Sequence, residues 1–416
     1  MTIASSLGFV NLLNADGRIL FTTRIVRLFA YGFLSVVLAL YLAQVGLTTA
    51  EIGALLTFTL LGDAGVSLWI TTSADRIGRQ KMLMVGAALM LFAGVIFAVT
   101  QNYVLLVIAA IIGVISPSGN EIGPFLSIEQ AALTQIVPNE QRTRVFAWYN
   151  LVGSFATATG ALCGGALAQW LQATGSTPLA SYRAIVLIYA AFGVVLVLVF
   201  SRLSKNVETT RQVVTTRIGL HRSRGIVLKL SALFSLDAFA GGFIVQSLVA
   251  YWFQTRFGVP PAVLGSIFFG ANILAGISAL SAARIAARIG LLNTMVFTHI
   301  PSNLLLILVP LMPNLPLAIL VLLARFSISQ MDVPTRQSYT MAVVEPDERS
   351  AASGVTTIAR SIGAAVSPSL AGAWLGGPLL SMPFFVAGGL KLVYDLALYH
   401  NFRAAKPPEE RIKAEG

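Results

Sequence analysis

The stretch from Val104 to Arg144 constrains this chain more than any other part of it. It opens with an apolar run that could cross a bilayer, and it then carries Pro117, Ser118, Gly119, Asn120, Glu121, Pro124, Glu129 and Pro138. A carboxylate near the bilayer centre costs a few kcal/mol or more, and proline and glycine free backbone groups that lipid cannot satisfy. Such a helix fits the wall of a polar pathway, so the stretch predicts a transporter whose route it lines.

The composition agrees with this prediction. The chain has 416 residues, of which 56% are hydrophobic and only 11% charged, whereas a soluble domain carries about 25% charged residues. We therefore predict an all-α membrane protein with twelve transmembrane helices in two six-helix, pseudo-symmetric halves. The predicted spans, numbered one to twelve, are 20–43, 52–72, 82–100, 104–136, 145–172, 183–202, 226–253, 262–283, 291–312, 316–343, 351–376 and 382–401.

The longest polar segment divides the chain into two halves that repeat. Residues 1–202 form the predicted N-terminal bundle, 203–225 a cytoplasmic linker, 226–402 the C-terminal bundle and 403–416 a cytoplasmic tail. At a constant offset, polar residues from span four, span five and the loop between them match similar residues from span ten, span eleven and their loop: Gln130 and Gln337, Glu140 and Asp347, Arg142 and Arg349, Ser154 and Ser361. Parallel six-helix repeats of this kind are a recurrent transporter design.

The basic residues behind the net charge of +11 are distributed as in a membrane protein rather than as in a protein that binds nucleic acid. Lysine and arginine gather in alternate loops, which places both termini in the cytoplasm by the positive-inside rule. We expect an integral protein of the bacterial inner membrane, a monomer whose partners are the lipid bilayer, a small-molecule solute and protons. The single Cys163 excludes an internal disulfide, and no cofactor or metal site is predicted.

A short motif, Asp75-Arg76-Ile77-Gly78-Arg79-Gln80-Lys81, lies between spans two and three. A basic cytoplasmic turn explains Arg79 and Lys81 but not Asp75, whose carboxylate could instead latch onto a helix N-terminus or an arginine. The loop resembles the signature of the major facilitator superfamily, Gly-x-x-x-Asp-Arg-x-Gly-Arg-Arg/Lys-Arg/Lys. Thr71 replaces the first glycine and Gln80 a basic residue.

The resemblance extends from Ile19 to about Phe402 through the span count, the linker and the repeat. It implies a carrier that alternates between inward-open and outward-open states, with spans one, four, seven and ten along the pathway. It also implies a conformational latch made of Asp75, Arg76, Gly78 and Arg79. A glycine pattern that marks many exporters of the family is incomplete in span five, where Gly160, Gly164 and Gly165 remain but the proline is absent.

Several charged residues lie inside the predicted spans. Arg325, Ser329, Asp332 and Arg336 form one stripe if span ten is a continuous helix. Glu129 of span four is the repeat counterpart of Arg336, and we predict a pair between these two. The structural alternatives are a self-neutralised Asp332–Arg336 pair and a Glu129 that is solvated from the cytoplasm.

Four further charges complete the predicted pathway. They are Asp63 of span two, Glu121 of span four, Asp237 of span seven and Arg360 of span eleven. An isolated buried acid can carry a proton, whereas the structural alternative pairs Asp63 or Asp237 with an arginine such as Arg27 or Arg360. Lys391 and Asp395 suggest a structural pair within span twelve, and the histidines have no ligand spacing.

These features predict alternating-access transport of a small polar or charged solute, as proton-coupled export by antiport. Uptake by proton symport is the alternative within the same fold, and a non-transporting receptor or scaffold is the alternative of another class. No ATP-binding glycine-rich loop occurs in the sequence, so a primary ATP-driven pump is not predicted. We predict a transporter and not an enzyme.

The alternation of basic loops generates a topology test. In a Cys163→Ser background, Gln101→Cys and Asn314→Cys should react with a membrane-impermeant thiol reagent outside intact cells, whereas Arg79→Cys and Ser204→Cys should not. The opposite labelling pattern would overturn the orientation.

Overall fold

The computed structural model describes residues 13–120, 123–208 and 219–404. Every regular element within those ranges is a helix, so the predicted all-α class is confirmed and the twelve spans are accounted for. Glu121, the middle of the linker and the tail beyond residue 404 lie outside the described residues.

Eight of the spans are single helices. Spans two, three, five, six, eight, nine, eleven and twelve are Thr49–Ile77, Arg79–Val99, Asn139–Ala173, Pro178–Phe200, Pro261–Ile289, Leu291–Leu308, Arg349–Leu375 and Met382–Phe402. Span six shows how local sequence sets such a start. The Thr177 hydroxyl accepts the N–H of Ala180 at 3.2 Å, and Pro178 occupies the first helical position, where a missing N–H costs nothing.

The other four spans are broken into two helices each. They are span one (Ala15–Ser35 and Leu38–Val45), span four (Tyr103–Ile112 and Phe125–Ile136), span seven (Arg224–Gly242 and Gln246–Phe257) and span ten (Leu315–Phe326 and Asp332–Val343). The two helices of span one meet at 48°. Broken helices in corresponding positions of two repeats are a sign of a substrate site in transporters.

Span ten is not the continuous helix that the predicted charge stripe requires, and Pro334 favours the break, although Pro301 and Pro368 are accommodated within the helices of spans nine and eleven. Pro334 has no N–H, and within a continuous helix its ring would collide with the carbonyl four residues earlier. The chain instead restarts its helix at Asp332, so Pro334 falls in the first turn, where it is tolerated. In span four, Pro124 likewise directly precedes the second helix.

Backbone groups freed by the break in span four are satisfied by side chains of neighbouring spans. The hydroxyl of Tyr189 donates to the carbonyl of Val114 at 2.6 Å, and that of Thr157 donates to the carbonyl of Gly119 at 3.3 Å. Because lipid offers no hydrogen bonds, irregular backbone at this depth requires such partners.

The helices form two compact units. The first unit comprises Met1–Leu47, Leu61–Val213 and Pro260–Phe269, and the second comprises Thr48–Leu60, Val214–Val259 and Gly270–Gly416. Each unit contains the same packed pairs: span one on five and three on six in the first, span seven on eleven and nine on twelve in the second. The bundle limits 1–202 and 226–402 stay a prediction.

Glycine closes the contact between spans one and five. A Cβ atom on Gly160 would lie 2.0 Å from the carbonyl oxygen of Phe29, and one on Gly164 would lie 2.2 Å from that of Phe33. These two residues belong to the partial exporter pattern, and their role in this structure is close helix packing.

A buried carboxylate fastens the end of the linker to the second unit. Glu348 precedes span eleven, and its Oε1 accepts the N–H groups of His221 at 2.6 Å and Arg222 at 2.8 Å, while Oε2 accepts that of Ser223 at 2.7 Å. The hydroxyl of Ser223 and these backbone N–H groups lower the pKa of Glu348 to about 2. The segment that leads into span seven is therefore held by one ionised group.

This geometry predicts a pH-dependent stability. A lowered folded-state pKa stabilises the fold above the ordinary pKa of about 4.5, and the stabilisation is lost as the pH falls towards 2. Glu348→Gln should lower the apparent melting temperature in detergent at pH 7 and flatten its fall between about pH 5 and 3. The matched control, Glu345→Gln, removes an exposed carboxylate and should behave like the wild type. Equal acid sensitivity in all three proteins would contradict the assignment.

Candidate functional site

The first unit buries one ion pair between spans one and four. Arg27 and Glu129 are both fully buried, and their two hydrogen bonds measure 2.8 Å (Nη1 to Oε1) and 2.6 Å (Nη2 to Oε2). The hydroxyls of Thr23, at 3.0 Å, and Tyr149 also donate to this carboxylate. Glu129 is therefore an ionised, fully coordinated group rather than one solvated from the cytoplasm.

Arg24 lies one turn away on span one and contacts span five. Its Nε donates to the carbonyl of Tyr149 at 2.8 Å, and Nη2 donates to Asn150 Oδ1 at 3.3 Å. Gly153 makes room for it, because a Cβ there would lie 2.9 Å from Arg24 Nε. The site in the first unit thus contains two guanidinium groups and one carboxylate.

The second unit is organised around the buried carboxylate of Asp237. Lys391 Nζ lies 2.5 Å from Oδ1, while Arg336 Nη1 and Arg360 Nη1 each lie 3.1 Å from Oδ2. The three cations come from spans twelve, ten and eleven, and the carboxylate comes from span seven.

Two more carboxylates extend this network. Asp332 accepts from Arg336 at 2.9 Å. Asp395 lies 2.8 Å from Nδ1 of His299 and accepts from Asn303 Nδ2 at 2.9 Å. Nε2 of His299 lies 4.0 Å from Oδ1 of Asp237, so the imidazole stands between two carboxylates.

The two units use one design with the charges reversed. Span one supplies Arg27 to Glu129 of span four, and span seven supplies Asp237 to Arg336 of span ten. Glu129 and Arg336 are repeat counterparts. In each unit the first span therefore provides the counter-ion for the fourth, with opposite polarity.

The predicted site residues are brought together in part. Asp237, Asp332, Arg336 and Arg360 meet in one network, and Arg325 is buried at the break of span ten. Asp63 is half-buried on span two, where the Ser67 hydroxyl donates to it at 3.4 Å. Glu121 lies outside the described residues, so its predicted role stays a prediction.

Two predicted pairs are present. Asp332 pairs with Arg336, and Asp237 pairs with Arg360, as the structural alternatives stated. Glu129 and Arg336 each have partners in their own unit, and the predicted pair between them, which would break as the two halves move, stays a prediction. The Lys391–Asp395 pair is replaced: Lys391 binds Asp237, and Asp395 binds His299 and Asn303.

Sequence reasoning missed the contributions of Arg27, Lys391 and His299. For Lys391 and His299 the sequence did contain a usable signal. Lys391 and Asp395 are four residues apart in one apolar span, and His299 and Asn303 are four apart in another, so each pair lies on one helix face.

The predicted latch binds the first part of the linker. Gly78 has φ +116°, and span three starts at Arg79, whose Nε donates to Asp75 Oδ1 at 3.1 Å. The carboxylate of Glu208 accepts the N–H groups of Arg79 at 2.7 Å and Gln80 at 3.1 Å. The Gln80 amide, which stands where the signature has a basic residue, donates to the carbonyls of Phe200, Ser201 and Leu203.

The Arg27–Glu129 pair generates a stability prediction. Arg27→Met or Glu129→Gln alone should destabilise the protein by about 3–5 kcal/mol, because each strands a buried charge. The double variant Arg27→Met/Glu129→Gln should lose less than the sum of the single losses. A double-mutant cycle on unfolding in detergent measures the difference, and additive losses would contradict a mutual pair.

Comparisons with known proteins agree with this fold. The family model described as Major Facilitator Superfamily matches residues 20–368 and 230–416. The chain is 30% identical to the uncharacterized membrane protein YJR124C of Saccharomyces cerevisiae, over 92% of this chain and 93% of that protein. It is 25% identical to the quinolone resistance protein NorA of Staphylococcus aureus, over 33% of this chain and 34% of that protein.

A solved structure shares the same fold. The nucleoside transporter NupG superposes with a TM-score of 0.73 at 15% identity, covering 94% of this chain and 99% of that chain. Together, the twelve spans, the two repeated units and the match over nearly the whole sequence show that the chain is an integral membrane protein of the major facilitator superfamily.

Proposed function

We propose that this protein is a secondary active transporter that couples the movement of a small charged solute to protons. The observation that carries the proposal is the Asp237 network, in which three cations from three spans surround one carboxylate inside the second unit. Ionisable groups within membrane-spanning helices are costly, and they commonly mark solute and proton pathways. A receptor or scaffold would not need such a network.

The four broken spans support alternating access. Spans one, four, seven and ten each consist of two helices, whereas the other eight are single. Breaks at corresponding positions of repeats are characteristic of substrate sites in secondary transporters. We place Arg325, Asp332, Arg336, Asp237 and Arg360 on the pathway in the second unit, and Glu129 on that in the first.

His299 is the group that we propose as the proton carrier. Its Nδ1 lies 2.8 Å from Asp395 Oδ1 and 3.2 Å from Asn303 Nδ2, and Nε2 faces Asp237. An imidazole has one nitrogen that accepts and one that donates, so it is suited to exchanging a proton. Protonation would place a positive charge 4.0 Å from Asp237 Oδ1, in competition with Lys391 and the two arginines. Proton binding would thereby loosen the cations that hold Asp237.

The direction of transport depends on whether the bound solute and the bound proton oppose or favour one another. Export by antiport is the first candidate, and the partial similarity to a quinolone resistance protein supports it. It requires that solute and proton exclude one another from the network.

Uptake by symport is the second candidate. The surplus of cations over carboxylates in the second unit favours it, because an anionic solute and a proton would then assist one another.

We also propose an orientation in the membrane, a monomeric state and a contact that gates the change of state. Both termini face the cytoplasm and the protein acts as a monomer. The Asp75–Arg79 contact at the start of span three acts as a latch that changes as the carrier switches states.

Transport and proton coupling can be tested together in proteoliposomes. Radiolabelled pyruvate, benzoate, choline and glucose sample anionic, cationic and neutral solutes. We expect an imposed pH gradient to accumulate one class, in the direction that identifies symport or antiport. His299→Asn should lose at least about tenfold of gradient-driven accumulation but retain exchange of the same solute across the membrane.

The matched control is His400→Asn, which alters an exposed histidine at the end of span twelve and should transport like the wild type. Flux equal to that of empty liposomes for the whole panel would contradict the transport proposal. Gradient-driven accumulation that survives in His299→Asn would contradict the role of His299 alone.

A further inference from the structure

Arg325 is a buried cation that has no hydrogen bond to a carboxylate of the Asp237 network among the described residues. It ends the first helix of span ten, is only 8% exposed, and has its guanidinium carbon 5.0 Å from the ring centroid of Phe326. Within the part of the chain that the structure describes, its Nε has no hydrogen-bond partner. A buried, charged donor without a partner is costly unless a ligand supplies an acceptor.

Ser329, four residues after Arg325, is a second buried polar side chain in this region. It lies in the break between the two helices of span ten, is 4% exposed, and its Oγ likewise has no partner among the described residues. The second helix of span ten starts just beyond it at Asp332, and the N-terminus of a helix carries partial positive charge. A guanidinium, a hydroxyl and a helix N-terminus therefore stand at one break.

The carboxylates near Arg325 are already engaged. Asp332 and Asp237 act on it electrostatically, but Asp332 accepts from Arg336, and Asp237 accepts from Arg336, Arg360 and Lys391. Asp395 is bound by His299 and Asn303. No carboxylate of the network is hydrogen-bonded to Arg325 in the described chain.

The charges of the network do not balance. Four basic side chains, Arg325, Arg336, Arg360 and Lys391, accompany three carboxylates, Asp237, Asp332 and Asp395; all are buried except Arg360, whose side chain is 32% exposed. If His299 is counted as uncharged, the basic side chains exceed the carboxylates by one charge. A neutral ligand would leave that charge in place, and a cation would add to it.

We propose that Arg325 and Ser329 bind the anionic group of the solute, so that the substrate is a small organic monoanion such as a monocarboxylate. This inference rests on the proposed transport function and specifies its substrate class. The guanidinium offers parallel N–H donors that match a carboxylate, and the Ser329 hydroxyl adds a third. One negative charge neutralises the surplus that the network has when His299 is uncharged.

Binding can be measured without flux by thermal shift of the purified protein in detergent. Sodium pyruvate and sodium benzoate are the monoanionic probes, and malonate, choline and glucose are the dianionic, cationic and neutral comparisons at matched ionic strength. We expect at least one monoanion to raise the apparent melting temperature of the wild type saturably, by about 2 °C or more. Arg325→Met and Ser329→Ala should lose or weaken this shift.

A second readout separates binding from a structural role. Without ligand, Arg325→Met should melt at or above the wild-type temperature, because it removes an uncompensated charge. Arg336→Met should melt lower, because it strands Asp237 and Asp332. Arg325→Lys should bind more weakly than the wild type, since a single ammonium cannot match the two oxygens of a carboxylate.

The matched control is Arg284→Met, which removes an exposed arginine of span eight and should keep the full monoanion shift. A monoanion shift that persists in Arg325→Met, or a wild type that no monoanion stabilises, would overturn the proposal. Either result leaves proton-coupled transport standing, since flux of another solute class in liposomes is measured separately. Conversely, intact anion binding without flux would contradict transport but not the subsite.

Discussion

The carboxylate of Asp237 sets the arrangement of the second unit. Lipid cannot solvate it, so cations from three other spans must reach one point on span seven. That requirement fixes which faces of spans ten, eleven and twelve turn inward, and it draws His299 of span nine to within 4.0 Å. Five of the six spans in this half of the sequence thus meet around a single ionised group.

The first unit solves the same problem with fewer groups and the opposite sign. Arg27 and Glu129 pair with one another, and two hydroxyls also donate to this carboxylate, while Arg24 donates to the carbonyl of Tyr149 and to Asn150. The counterpart of this pair in the second unit, Asp237 with Arg336, is joined by Arg360, Lys391 and Asp332. The reversed polarity thus gives the first unit a small cluster and the second a larger one, which is where we propose that a solute charge binds.

The sequence was sufficient for the all-helical fold, the spans and the Asp332–Arg336 pair, but the same four-residue spacing wrongly paired Lys391 with Asp395. It also identified Asp237 and Arg360, because charges inside apolar spans are conspicuous. It was not sufficient for Lys391, His299 and Arg27, because their partners lie on other helices, and helical periodicity says nothing about which faces meet. The break of span ten was signalled by Pro334, yet where the helix ends and restarts depends on the packing around it.

The surplus cation at Arg325 also exposes the protein to the electric field of the membrane. A potential of 100 mV acts on one elementary charge with about 2.3 kcal/mol over the full thickness of the bilayer. When the site of the second unit is empty, any change in the depth of this network moves net charge through part of that field. A monoanion bound alone cancels that charge, so the same movement is then electrically silent. A monoanion bound together with a proton leaves one positive charge, so the voltage would act on the loaded step as well as on the return of the empty carrier.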